Sequence, residues 1–346
     1  GLKNHDVWKA MCEGDAKGCL DNNCEIDYPH KLNKRFLGIS RCVELGINAA
    51  EFAWEDAGYD EEKLERSRWS VYCGTAFGGF VDAQEEQCQT LVEKGVLRML
   101  PGIFNNKGYH LIPDIFAIDH KLTGPNTTFV SGKLASGMAI MQAFDDITFG
   151  ELDGAVVIGA ETGDRLMVKG HEILGMKDAQ NISDAACALL LNSTDKSISD
   201  QESVRGSILS ISISGGNGKP GNYSYEVSKK LKEAINEALS DAGLKPSDID
   251  IIVSGEGSSD IERLCYNKAY KEVFNIEDSE GFVFRQKEVF GDTIGATVAV
   301  GVGAGLLFIE KQSAIEGNKP VKKNIQYVLI TVDDPSGGVC ALILSK

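Results

Sequence analysis

Positive charge is scarce in this chain: 35 lysines and arginines stand against 51 aspartates and glutamates, a formal net charge of −16. A surface of that sign repels phosphate backbones and anionic headgroups, which argues against nucleic acid and against a membrane as partners. Histidine is scarcer still. His5, His30, His110, His120 and His171 lie apart from one another and outside the glycine-rich loops, so each reads as a surface or loop residue, and no metal site is indicated. The nine cysteines contain no Cys-x-x-Cys pair and several fall inside hydrophobic runs, which reads as buried free thiols in a reducing compartment. No apolar run approaches the roughly 20 residues needed to cross a bilayer, and no signal-peptide pattern opens the chain, so the expected address is cytoplasmic.

What is present is globular material in quantity. A chain of 346 residues exceeds the usual single core, and its 42% hydrophobic content and 38 glycines suit an α/β protein of one two-lobed domain or two intimate ones. Helical spacing runs over Val7 to Met11 and over Ile39 to Ala57, the latter stopping at Gly58. The ending Ala53-Trp-Glu-Asp-Ala-Gly58 recurs as Ala238-Leu-Ser-Asp-Ala-Gly243, after a helix from about Tyr225. Each copy leads through a polar linker into a hydrophobic strand, Trp69 to Cys73 and then Ile249 to Ser254. The repeat predicts two similar halves, 1–200 and 201–346, with the boundary near the polar connector 196–206. Strands are also expected at Gly154 to Gly159, Ala185 to Asn192, Ser207 to Ser214, Tyr327 to Val332 and Val339 to Leu344. A long insertion, 74–124, carries expected helices at Val81 to Lys94 and Tyr109 to Lys121.

The chain centres on residues 127–141. Thr127, Thr128, Phe129, Val130 and Ser131 read as a strand, and the Ala/Met/Ile-rich run from Leu134 reads as a helix, with a tight turn between them. Such strand-to-helix turns commonly display a nucleophile, because the helix N-terminus offers free N–H groups and partial positive charge to a thiolate or oxyanion. Here the turn is Gly132-Lys133-Leu134.

Around it, Gly124-Pro-Asn-Thr-Thr128, Ala135-Ser-Gly-Met-Ala-Ile-Met-Gln-Ala143, Gly150-x-x-Asp153 and Val157-Ile-Gly-Ala-Glu161 together resemble the ketosynthases of the thiolase superfamily. The resemblance places the family's active-site cysteine at Lys133 when counted from Ala139-Ile140, or at Leu134 when Ala135-Ser-Gly137 is aligned. The His-Gly-Thr-Gly-Thr loop corresponds to Ser254-Gly-Glu256-Gly-Ser-Ser-Asp260, with Glu256 in the place of histidine. The lysine followed by Gly-His-Thr corresponds to Lys287 and Gly291-Asp292-Thr293, with Asp292 in the place of the second histidine. The C-terminal Gly-Phe-Gly-Gly loop survives only as the glycine pair of Asp333-Asp334-Pro-Ser-Gly337-Gly338.

The resemblance covers nearly the whole chain and implies a thiolase-like α/β fold: two pseudo-symmetric βαβαβαββ halves, each with a five-stranded sheet, in an α-β-α-β-α layering. It also implies a strand upstream of Gly1. Ketosynthase chemistry needs a thiolate to hold the acyl group and two imidazoles to polarise its carbonyl. None of the three is present. The replacements match in charge, so Lys133, Glu256 and Asp292, with Lys287 nearby, are expected to meet as an ionic plug, since a buried ammonium is tolerated when paired. The class implied is the chain length factor, the non-catalytic partner of an active ketosynthase in type II polyketide and aryl-polyene-like synthases. It uses no cofactor, and acyl carrier protein docks mainly through the partner.

In that family the insertion helps form the dimer interface and the acyl tunnel. Phe77, Phe80, Phe104, Leu111 and Phe116 are the candidate tunnel or gate residues, or else ordinary core. The strand Thr127 to Ser131 is the expected dimer edge, which implies poor solubility for the chain alone. The rival expectation is a thiolase-fold acyltransferase or hydrolase using Ser136 or a water activated by Glu256.

Overall fold

The computed structural model describes residues 4–13, 39–59, 62–99, 107–163, 165–173, 181–193, 204–215, 225–257, 259–276, 282–316 and 319–346. Two sheets form its frame. The first is built from β1 (Trp69–Gly74), β2 (Asn126–Phe129), β3 (Gly154–Glu161) and β4 (Ala185–Asn192) in the order β2-β1-β3-β4. The second is built from β5 (Ser207–Ser214), β6 (Ile251–Ser254), β7 (Val283–Arg285), β10 (Tyr327–Asp333) and β11 (Val339–Ser345) in the order β5-β11-β10-β6-β7. A separate hairpin joins β8 (Ser313–Glu316) to β9 (Lys319–Lys322). Where five strands were expected in the first sheet, four occur among the described residues.

Alternation along the strands shows why these elements form five layers. In β3, every residue of which is buried, Ala155 and Val157 point into the middle of the molecule, while Val156, Ile158 and Ala160 point outward. The outward set packs beneath α2 (Arg41–Ala57) and α4 (Leu111–Asp119), which follows α3 (Phe80–Lys94). The inward set packs on α5 (Ala135–Thr148) and α10 (Thr297–Lys311), which form the middle layer. In the second sheet, Val328, Ile330 and Val332 of β10 face that middle layer. Leu329 of β10, with Ala341 and Ile343 of β11, faces the outermost helices α7 (Tyr225–Asp241) and α8 (Asp260–Phe274). Three shorter helices complete the described elements: α1 (Asn4–Glu13), α6 (Arg165–Ile173) and α9 (Gln286–Phe290).

The repeated Ala-Gly stops behave as the sequence predicts. Gly58 and Gly243 adopt left-handed φ values of 61° and 67°, and the Gly58 N–H bonds to the Glu55 carbonyl at 3.2 Å, closing α2. Two expectations change. Residues 294–311 have the length and apolarity of a membrane span, but 72% of that stretch is buried, because α10 is sandwiched between both sheets and needs an apolar surface all round. His120 is no surface residue: its ring stacks on Phe116 at 4.3 Å, lies 4.9 Å from Trp54 and meets the Glu51 carboxylate at 3.0 Å.

Candidate functional site

The turn between β2 and α5 is a single 3-10 turn, Gly132–Leu134. Gly132 takes a φ of 52°, and a Cβ there would lie 2.1 Å from Oδ2 of Asp334, so only glycine lets the two segments meet this closely. The Asp334 carboxylate accepts the Lys133 backbone N–H at 2.9 Å and the Ser336 N–H at 2.8 Å. The two side chains of the turn then diverge. Leu134 enters the middle hydrophobic layer, whereas Lys133, 7% exposed, sends its ammonium to Asp292. Of the two, only Lys133 therefore meets another degenerate position, Asp292.

Asp292 is held by backbone on both sides: its N–H donates to the Asn181 carbonyl at 2.7 Å, and its carbonyl accepts the Ser183 N–H at 3.0 Å. Its Oδ2 lies 3.0 Å from Lys133 Nζ and 3.4 Å from Lys287 Nζ, while Oδ1 accepts the Ile294 N–H at 3.1 Å. Burial pushes this carboxyl toward the neutral form. The two ammonium groups and the Ile294 N–H outweigh burial and hold it well below the usual carboxylate range. Ile294 itself sits at φ 40°, an uncommon left-handed conformation for a β-branched residue.

Glu256 departs from the expected plug. β6 and β7 pair with Ser254 opposite Arg285, which brings Glu256, two residues beyond β6, beside that guanidinium. Glu256 accordingly pairs with Arg285 and not with Lys133. It is 2% exposed, and burial raises its carboxyl despite the arginine. The place expected for it beside the lysines is taken by Glu262, outside the motifs, and by Asp333, which opens the C-terminal glycine loop but was not expected in the cluster. Glu262 Oε1 is 3.7 Å from Lys287 Nζ, and Asp333, wholly buried, accepts the Tyr266 hydroxyl at 2.7 Å. A Ser-x-x-Glu signature at Ser259 to Glu262 does occur, and Ser259 caps α8 by accepting the Glu262 N–H at 3.2 Å. That signature points to a helix cap and not to a charge cluster.

A second buried carboxylate lies behind the first. Glu161, at the end of β3 and fully buried, accepts the N–H of Ala76 at 2.6 Å, of Gly78 at 3.2 Å and of Phe77 at 3.3 Å, and also that of Gly295. Burial outweighs these donors and raises its carboxyl to about 7. Ser136 is also wholly buried, and its Oγ accepts the Ala299 N–H at 3.2 Å, joining α5 to α10.

The tunnel candidates separate by layer. Phe77 packs with Met167, Ile182 and Ile294, next to Asp292. Phe80 stacks on Tyr109 at 5.4 Å. Leu111 and Phe116 instead fill the outer core between α2, α4 and the first sheet, on the face away from the lysine cluster. That is the ordinary core packing the sequence left open beside a tunnel role. Phe104 lies outside the described residues. At the expected dimer edge, the strand runs over Asn126–Phe129, and Val130 and Ser131 extend past it, exposed. β2 pairs in parallel with β1 and ends its sheet, with no strand on its other side among the described residues.

Beta-ketoacyl synthase, N-terminal domain, is the family that matches residues 9–187, over half of the chain. The chain belongs to the beta-ketoacyl synthase family. No curated protein matches it in sequence. Solved structures share the fold at low identity. A beta-ketoacyl synthase from Burkholderia phymatum superposes with a TM-score of 0.83 at 15% identity, covering 100% of this chain and 96% of that one. The ishigamide ketosynthase/chain length factor gives 0.78 at 18% identity, with 92% and 85% covered. The ketosynthase ApeO in complex with its chain length factor ApeC, from Xenorhabdus doucetiae, gives 0.76 at 16% identity, with 99% and 94% covered.

Proposed function

We propose that this ketosynthase-like subunit is a chain length factor: a non-catalytic, cytoplasmic chain that pairs with an active ketosynthase and shapes the tunnel in which an acyl chain grows on carrier protein. The observation that carries this reading is the contact of Lys133 with Asp292 at the turn where the family's nucleophile belongs. A lysine engaged at 3.0 Å by a buried carboxylate has no free electron pair with which to take an acyl group. The turn N–H that would serve an oxyanion is also occupied, since Asp334 accepts it. The exposed edge of β2 supports the pairing, because such an edge is completed by a strand from another subunit.

The rival, a hydrolase or acyltransferase, finds less support. Ser136 is bonded to the Ala299 N–H and has no basic side chain within hydrogen-bond reach among the described residues. Glu256 is neutralised by Arg285. Coexpression with a neighbouring ketosynthase, followed by native mass measurement, should give a 1:1 complex, and the chain alone should not turn over acyl thioesters. An acyl group found covalently attached to this chain, or turnover abolished by Glu256→Gln, would overturn the reading.

A further inference from the structure

Asp333 ends β10, and its buried carboxyl lies within reach of the charge cluster. Among the described residues, the titratable and charged groups packed around it come from several elements. Lys133 approaches from the turn before α5 and Lys287 from α9. Glu262, Cys265 and Tyr266 approach from α8. Glu256, beyond β6, is matched by Arg285, and the neighbouring Asp334 is turned away onto the N–H groups of Lys133 and Ser336.

That leaves three buried carboxylates, Asp292, Glu262 and Asp333, sharing the two ammonium groups of Lys133 and Lys287. Asp292 takes the short contacts from both lysines. Glu262 lies 3.7 Å from Lys287. Asp333 has the Tyr266 hydroxyl on Oδ1, while Oδ2 is buried with no hydrogen-bond partner among the described residues. An ionised carboxylate left in this state is costly to bury, whereas a protonated one is not.

We propose that Asp333 is the proton-holding member of the cluster, so that the site is charge-matched when Asp333 is protonated and carries an uncompensated buried negative charge when it is not. The fold thus contains a pH-sensitive element at the former catalytic turn, whether or not the chain retains any activity of its own. Burial, and then the Glu262 carboxylate, raise the Asp333 carboxyl to about 6, against the pull of the two lysines and the Tyr266 hydroxyl. The folded value lies above the ordinary one, so the associated stability is full at acid pH and is lost as pH rises through about 6.

The test follows the carboxyl directly, by carbon-13 NMR of labelled aspartate in the intact chain, and follows thermal unfolding between about pH 5 and pH 8. The wild type should show one aspartate titrating near 6, absent in Asp333→Asn. Its melting temperature should fall about 2 °C more across that range than the variant's, on a scale of about 1–2 °C per kcal/mol for a chain of this length. Should Asp333→Asn fail to fold, Tyr266→Phe and Glu262→Gln serve instead: the first should move the titration up, the second down. An unmoved titration in both, or an aspartate signal that stays ionised throughout, would overturn the proposal.

Discussion

Two carboxylates of the site, Asp292 and Glu161, are equally withdrawn from water and yet behave oppositely. Asp292 has two ammonium groups within 3.4 Å and stays ionised far into acid. Glu161 has only backbone N–H donors and is raised to about 7. The difference shows that fixed dipoles, even several together, do less here to offset desolvation than full charges do. It also separates two uses of a buried anion: one neutralises the charges of Lys133 and Lys287, the other ties the 75–78 loop to the 294–296 turn.

The largest effect should come from breaking the first case. Lys133→Met leaves Asp292 to Lys287 alone and should cost about 3–5 kcal/mol in chemical denaturation. Lys133→Met with Asp292→Leu removes both charges and should recover much of that loss; equal losses in the single and double variants would mean the pair is not coupled. Next in size, Glu161→Gln tests the second case through its pH dependence. The folded Glu161 carboxyl is raised, so wild-type stability falls as pH rises from about 4.5 to about 7, and Gln should flatten that arm. The Asp292 contribution has the opposite sign. Its carboxyl is lowered, so its stability is present above the ordinary aspartate range and is lost only toward strong acid, and Asp292→Asn should weaken that acid-side decline. Smallest, Ser136→Ala should cost about 1 kcal/mol, read as a modest melting shift.

Much of the fold was legible in sequence because its signals are local. The short apolar runs at β1, β3, β4, β10 and β11, the alternation at β5, and the paired Ala-Gly stops at Gly58 and Gly243 need no tertiary information. β7 was missed because three residues are too few to show a period, and α10 because a helix buried on every side shows no amphipathic stripe. At the site, Lys133, Lys287 and Asp292 could be found because each stands at a motif position, Lys287 keeping the motif's lysine and the other two replacing a motif residue. Glu262, Asp333 and Arg285 could not. Their roles depend on strand register and on the approach of α8 to the end of β10, distances that no linear pattern encodes. Phe116 stayed open between tunnel and core for the same reason: hydrophobicity says that a ring is buried, not on which face of a sheet.

Ile294 links the two carboxylates compared above. At its φ of 40° the chain bends so that one peptide N–H reaches Asp292 and the next, from Gly295, reaches Glu161. The two anions hang from adjacent links of one kinked segment, so neither can shift without tugging the other. A substitution that relaxes this kink would slacken both anchors together, which makes a residue with no charge the common hinge pin of the whole ionic assembly.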